Sequence, residues 1–141
     1  MIDKATGTIT LSSLIQIKHN DHLQDIRKLA IGKTRNLLDF NDGWIWLHEQ
    51  NVLIDNLDFA FQFGFFNNRL QQLSFCFNDR GSNSVTSWND WSKEVELANL
   101  KSLETWLNDE IGEKRDFNWG NIWASYDAKA CASSIGLKFK S

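Results

Sequence analysis

The chain has 141 residues, 42% of them hydrophobic and 23% charged, with a formal net charge of −3. Such a chain buries roughly 70% of its extended surface, so one globular domain spanning 1–141 is expected and a disordered class is excluded. No apolar run approaches the ~18 residues of a membrane span, so no membrane partner is expected. The start, MIDKATGTITLSS, lacks the basic and apolar parts of a secretory signal, which makes the expected address cytoplasmic.

In chain order, the first element expected is a short helix around Asp21–Ala30. Leu23, Ile26, Leu29 and Ala30 share one side, and Asn20 or Asp21 would cap it. Trp44 and Trp46 then share parity on a candidate strand. Leu57, Phe59, Phe61, Phe63 and Phe65 alternate with polar or small residues, as do Leu73, Phe75 and Phe77. The intervening FNNRLQQ reads as a hairpin. A two-residue Asn67-Asn68 loop alone would put the two Phe rows on opposite faces. A three-residue loop, or an equivalent bulge, pairs 63 with 73, 61 with 75 and 59 with 77, and is the expected register.

The clearest helix is SKEVELANLKSLETWLNDEIG. Leu97, Leu100, Leu103, Leu107 and Ile111 recur at three- and four-residue steps, with Ser92 as N-cap and Gly112 at the stop. Gly120–Tyr126 and the alternating Ile135, Leu137 and Phe139 complete the strands. The fold class expected is therefore α+β: an antiparallel sheet of about five or six strands, one long amphipathic helix packed on it, and a shorter N-terminal helix.

Catalytic signatures approach and fail. IGKT at 31–34 ends like a phosphate loop, but the first glycine position holds Arg27. HEQNV at 48–52 starts like a zinc-protease helix, but Val52 stands at the second histidine position. HNDH brings His19 and His22 near Asp21 and Asp25 without a completing ligand, so no metal or cofactor is expected. Cys76 and Cys131 lie far apart and read as reduced thiols. Nothing supports catalysis, and an enzyme is not expected.

Charge is distributed in blocks. Residues 36–68 hold no Lys or Arg but include Asp39, Asp42, Glu49, Asp55 and Asp58, and the long helix carries Glu94, Glu96, Asp109 and Glu110. Direct nucleic-acid binding needs cations interleaved with aromatics, and here the two are segregated. Fixed carboxylates instead suit a surface that occupies a basic cleft in place of phosphates. Of the 7 Trp, most read as core and one or two as exposed anchors of an interface. A Trp-lined pocket between sheet and helix is the alternative, making the protein a small-ligand-binding α+β domain.

The C-terminal half has a W-x-x-W-S … W-L … G … W-G … Y-D pattern at Trp88, Trp91-Ser92, Trp106-Leu107, Gly112, Trp119-Gly120 and Tyr126-Asp127. It resembles small bacterial proteins akin to the immunity partners of toxin systems, contact-dependent growth inhibition among them. The resemblance covers residues 85–140 and departs at the Y-D turn, where Ala128 and Ala130 replace an expected Pro and Gly. It implies a non-enzymatic protein-binding module that neutralises a cognate toxin, such as a nuclease. Trp119 and Tyr126 then read as core closure, and Asp127 as a turn residue.

Overall fold

The computed structural model describes residues 1–12, 15–54, 57–79, 93–127 and 132–140. Its elements are β1 (Ile9–Ser12), β2 (Ile15–Ile17), α1 (Leu23–Leu29), β3 (Thr34–Asp39), β4 (Trp44–Ile54), β5 (Leu57–Phe66) and β6 (Arg69–Asp79), then α2 (Lys93–Ile111), β7 (Asp116–Phe117), β8 (Gly120–Asp127) and β9 (Ala132–Phe139). Seven strands form one antiparallel sheet in the order β3-β4-β5-β6-β9-β8-β7, and β1 and β2 form a separate ribbon.

This corrects the expected fold class. The protein is mostly β, with 55% of the described residues in strands, rather than an α+β domain of five or six strands built around one long helix. The strands that local pattern does not announce have a common physical cause. All six residues of β3 are exposed, so neither face imposes the one-sided burial that produces alternation. β1, β2 and β7 are four residues or fewer, too short for a period to register. Length misleads too: β4 runs through a bulge between Glu49 and Val52, where Asn51 takes φ 58°.

The hairpin behaves as its hydrophobic rows require. Asn67 and Asn68 both adopt positive φ in a two-residue turn, joining Phe66 to Arg69. That turn alone would misalign the Phe rows. A bulge at Gln71 restores them, so Phe63 faces Leu73, Phe61 faces Phe75 and Phe59 faces Phe77.

These rows form the inner face. Phe59, Phe61, Phe63, Phe65, Leu73, Phe75, Ile122, Ile135 and Leu137 are at most 2% exposed. Ile9 and Ile17 from the ribbon and Leu23 and Ile26 from α1 join the same buried cluster. Helix α2 packs on β8 and β9 through Leu103, Leu107 and Ile111, and Trp106 lies against Phe75 and Phe77. Trp119 closes the edge of this layer, stacked on Phe117 at 5.1 Å with its indole N–H donated to the Lys4 carbonyl. Tyr126 is half-buried, while the turn after Asp127, Trp88, Trp91, Ser92 and Cys131 lie outside the described residues.

Two local expectations shift. Helix α1 is capped by His22, whose Nδ1 accepts from the Gln24 N–H, and not by Asn20 or Asp21. Asp21 instead accepts from the Lys18 N–H, which fixes the chain entering the helix. Gly112 ends α2 as expected, at φ 81°.

Candidate partner-binding surface

Every described covering element sits on the inner face, so among the described residues the opposite face of the sheet is open. Antiparallel partners point to the same side, and the register therefore gives its rows directly. One runs Leu38–Trp46–Gly64–Gln72–Lys138–Asn121, and the next Asn36–His48–Gln62–Ser74–Gly136–Trp123. Two tryptophans lie flat on glycines of this face. A Cβ at Gly64 would stand 2.8 Å from the Trp46 ring, and one at Gly136 would stand 2.6 Å from Trp123. Those glycines are the seats that let the indoles lie flat on the sheet.

At the β3–β4 end the face becomes apolar. Trp44 stacks on Trp46 with ring centroids 6.2 Å apart and packs against Phe66 at 5.4 Å. Beside them Phe40 is 57% exposed, Phe66 40% and Leu38 38%. Single exposed apolar residues are ordinary, but five clustered on one uncovered sheet face form a patch. The turn beneath it is braced by its own acids. Asp39 Oδ1 accepts from the Asn41 N–H at 2.9 Å, and Asp42 Oδ1 from the Trp44 N–H at 3.0 Å. Both carboxylates remain exposed.

The described acidic residues of the two sets singled out from the sequence, one along 39–58 and one on the long helix, sit in different settings. Glu49 is fully buried. Its Oε2 accepts from the Gly32 N–H at 2.7 Å, and Arg35 Nε stands 3.0 Å from Oε1 without the alignment of a hydrogen bond. This carboxylate fastens the 30–33 loop and the edge strand to β4, and is not a surface contact. Asp58 is half-buried opposite Leu53, roughly 25 Å along the strands from the Asp39 turn. Asp55 lies outside the described residues. Asp109 is exposed on α2, over the far half of the sheet from Asp39 and Asp42. Glu110 binds the amino group of Met1 and the Ile2 N–H, tying down the first residues. Glu94 and Glu96 lie on the first turn of α2, where the backbone alone is described.

Glu49 and Glu110 titrate in opposite directions. Desolvation lifts Glu49 above the ordinary value of 4.5, only partly offset by the Gly32 N–H and Arg35. Desolvation acts upward on Glu110 as well, but there the Met1 amino group and the Ile2 N–H outweigh it, so its pKa is lowered. For Glu49 the folded state holds its proton more tightly than the unfolded chain. Its contribution is therefore complete at low pH and declines as pH rises through the raised folded value. Glu49→Gln keeps an acceptor for Gly32 and removes the charge. Its urea midpoint is expected to rise relative to wild type between pH 4.5 and pH 7. A difference that stays constant with pH would show that Glu49 does not titrate as its burial requires.

A depression of about 210 Å³ with mixed polar and apolar walls lies mid-face among His48, Ala60, Gln62, Ser74, Cys76 and Ser134. No tryptophan is among its described lining residues, and it is smaller than a typical ligand cleft of ~300–1,000 Å³, so this depression is not the Trp-lined pocket between sheet and helix that the sequence offered as the alternative. Of the metal candidates, His22 serves as a helix cap and His19 stacks on Phe139 at 4.8 Å. Among the described residues no group of His, Cys, Asp or Glu is placed to hold a metal. No described helix is long and apolar enough to cross a membrane.

The aromatic patch is only half legible in the sequence. Trp44 and Trp46 share a parity, but Ile45 and Leu47 between them are apolar too. Nothing local tells which side is covered.

No protein-family model matches the chain, and none of the curated proteins does. Among solved structures it is similar to a chain of "Rhs1-CT in complex with cognate immunity protein RhsI1". The identity is 18% and the TM-score 0.53, over 99% of this chain and 86% of that one. At that identity the likeness is one of fold.

Proposed function

We propose that the protein is a non-enzymatic binding module of the immunity type, which neutralises a cognate toxin by covering it with the open sheet face. The observation that carries this reading is the uncovered cluster of Leu38, Phe40, Trp44, Trp46 and Phe66. Interface centres combine such aromatic anchors with a polar rim, and the rim here comprises Asp42 in the turn and Gln62 and Gln72 on the sheet. The fold likeness to a structure of an immunity complex supports it, as does the sequence pattern of the C-terminal half. The acidic contribution narrows to Asp42, which borders the patch beside Trp44 and would steer a basic toxin surface toward it, whereas Asp39 shares the parity of Leu37. The site of action under this reading is the cytoplasm.

The test is affinity capture of the tagged protein from its host at low and high salt, read by mass spectrometry. A single stoichiometric partner supports the reading, and inhibition of that partner's toxicity on co-expression establishes it. With a partner in hand, Phe40→Ala and Trp44→Ala are each expected to weaken binding about 30-fold, the ~2 kcal/mol of an interface anchor. Asp42→Lys should mainly slow association at low salt. Full affinity in both alanine variants would move the interface elsewhere.

A further inference from the structure

The two edges of the large sheet differ. β7 is a two-residue strand, whereas β3 is six residues long and has β4 as its one strand partner among the described residues. Natural edges are guarded by proline, a bulge, shortness or inward charge. The chain has no proline, the β3–β4 register is continuous from Thr34 to Asp39 without a bulge, and the inward charge of Arg35 is met by Glu49 of β4. Leu37 and Leu38 stand exposed at its centre, at 39% and 38%.

The sequence of this strand fits itself. We infer that β3 is a homodimer edge, pairing antiparallel with β3 of a second copy about a two-fold axis at Leu37. A two-fold perpendicular to the sheet keeps each face on its own side, so opposed residues must share parity. With Leu37 opposite Leu37 of the second copy, Arg35 falls opposite Asp39 and Asp39 opposite Arg35, two unlike pairs on one face. On the other face Asn36 meets Leu38 twice. Shifting by one allowed step in either direction sets Arg35 or Asp39 opposite Leu37 and forms neither charge pair. Arg35 is 44% exposed and uses Nε toward Glu49, and among the described residues its terminal guanidinium nitrogens have no partner.

The dimer would be one continuous sheet with both aromatic patches on the same open side. It does not occlude the proposed partner face and does not depend on that reading, since its test needs no toxin.

Sedimentation equilibrium of the purified chain over about 1–200 µM is expected to give a monomer–dimer equilibrium. Asp39→Lys sets two like charges opposite each other at both ends of the pairing. It should weaken the dimer at least 10-fold, and Asp39→Asn, which removes the charge but keeps an acceptor for the Asn41 N–H, should weaken it less while leaving the melting curve intact. The register has its own probe. Only a residue on the axis meets its own counterpart, so Leu37→Cys should cross-link under mild oxidation, while Asn36→Cys and Leu38→Cys singly should not. The wild type, with its native Cys76 and Cys131, sets the background. A monomer throughout the range, as expected if the edge accepts only a strand of a different protein, overturns the inference. So does cross-linking through position 36 or 38 in preference to 37.

Discussion

Phe61→Ala is expected to destabilise the fold by about 4 kcal/mol, a large share of the 5–15 kcal/mol that holds a typical domain together. Phe61 is 1% exposed at the centre of the inner face. It stacks on Phe63 at 5.5 Å and Phe59 at 5.7 Å and lies 5.4 Å from Phe75 on the neighbouring strand. Removing the ring deletes its burial and leaves a cavity that three aromatic neighbours cannot collapse to fill. The control lies on the same strand with opposite parity. Phe66→Ala, at a residue 40% exposed on the open face, should cost about 1 kcal/mol or less. Urea unfolding of both variants by Trp fluorescence checks the pair. Equal losses would mean that the open face is covered in solution, which would undermine the proposed partner surface and leave the core assignment standing.

Gly120→Ala is the second large effect, with an expected loss of about 3 kcal/mol. The residue opens β8 opposite Phe139, where the strands converge on β7. A Cβ there would sit 2.1 Å from the Lys138 carbonyl oxygen and 2.9 Å from the Phe139 Cα. Both are backbone atoms of a paired strand, so no side-chain rotation relieves the contact. The β8–β9 pairing would have to open at this end, loosening Trp119 from Phe139 and from the Lys4 carbonyl. Thermal melts should show the drop, and amide exchange should localise it to 117–122. A melting temperature equal to wild type would mean that β8 can shift outward at no cost. Sequence context, with Trp119 beside it, suggests a glycine that admits an aromatic ring. The atoms it admits are instead the backbone of β9.

The aromatic hairpin shows how far local pattern reaches. Alternation from Leu57 to Phe65 and from Leu73 to Phe77, with Asn67-Asn68 between them, is sufficient to predict both strands and their pairing, while the structure takes up the extra residue in a bulge and not in a three-residue loop. The reason is that a misregistered hairpin would turn one Phe row into water, a cost far above that of one extra residue. Helix α2 is equally legible, because its leucine stripe and Gly112 are signals carried within one element.

The candidate site is not legible in the same way. An acidic residue looks the same in sequence whether it braces a turn, as Asp42 does, or lies buried against Arg35, as Glu49 does. Which face of β4 stays open depends on where α1, α2 and the β1–β2 ribbon land, and these come from segments far away in the chain. The edge strand β3 leaves no periodic trace, since both of its faces meet solvent. Sequence by itself determined the features that short-range burial and backbone chemistry dictate: the Phe rows, the turn asparagines, the helix stripe and its stop. Tertiary structure alone decided which apolar face is covered, which carboxylates are free, and which edge is exposed, because each is a property of surfaces that exist only once distant strands are side by side.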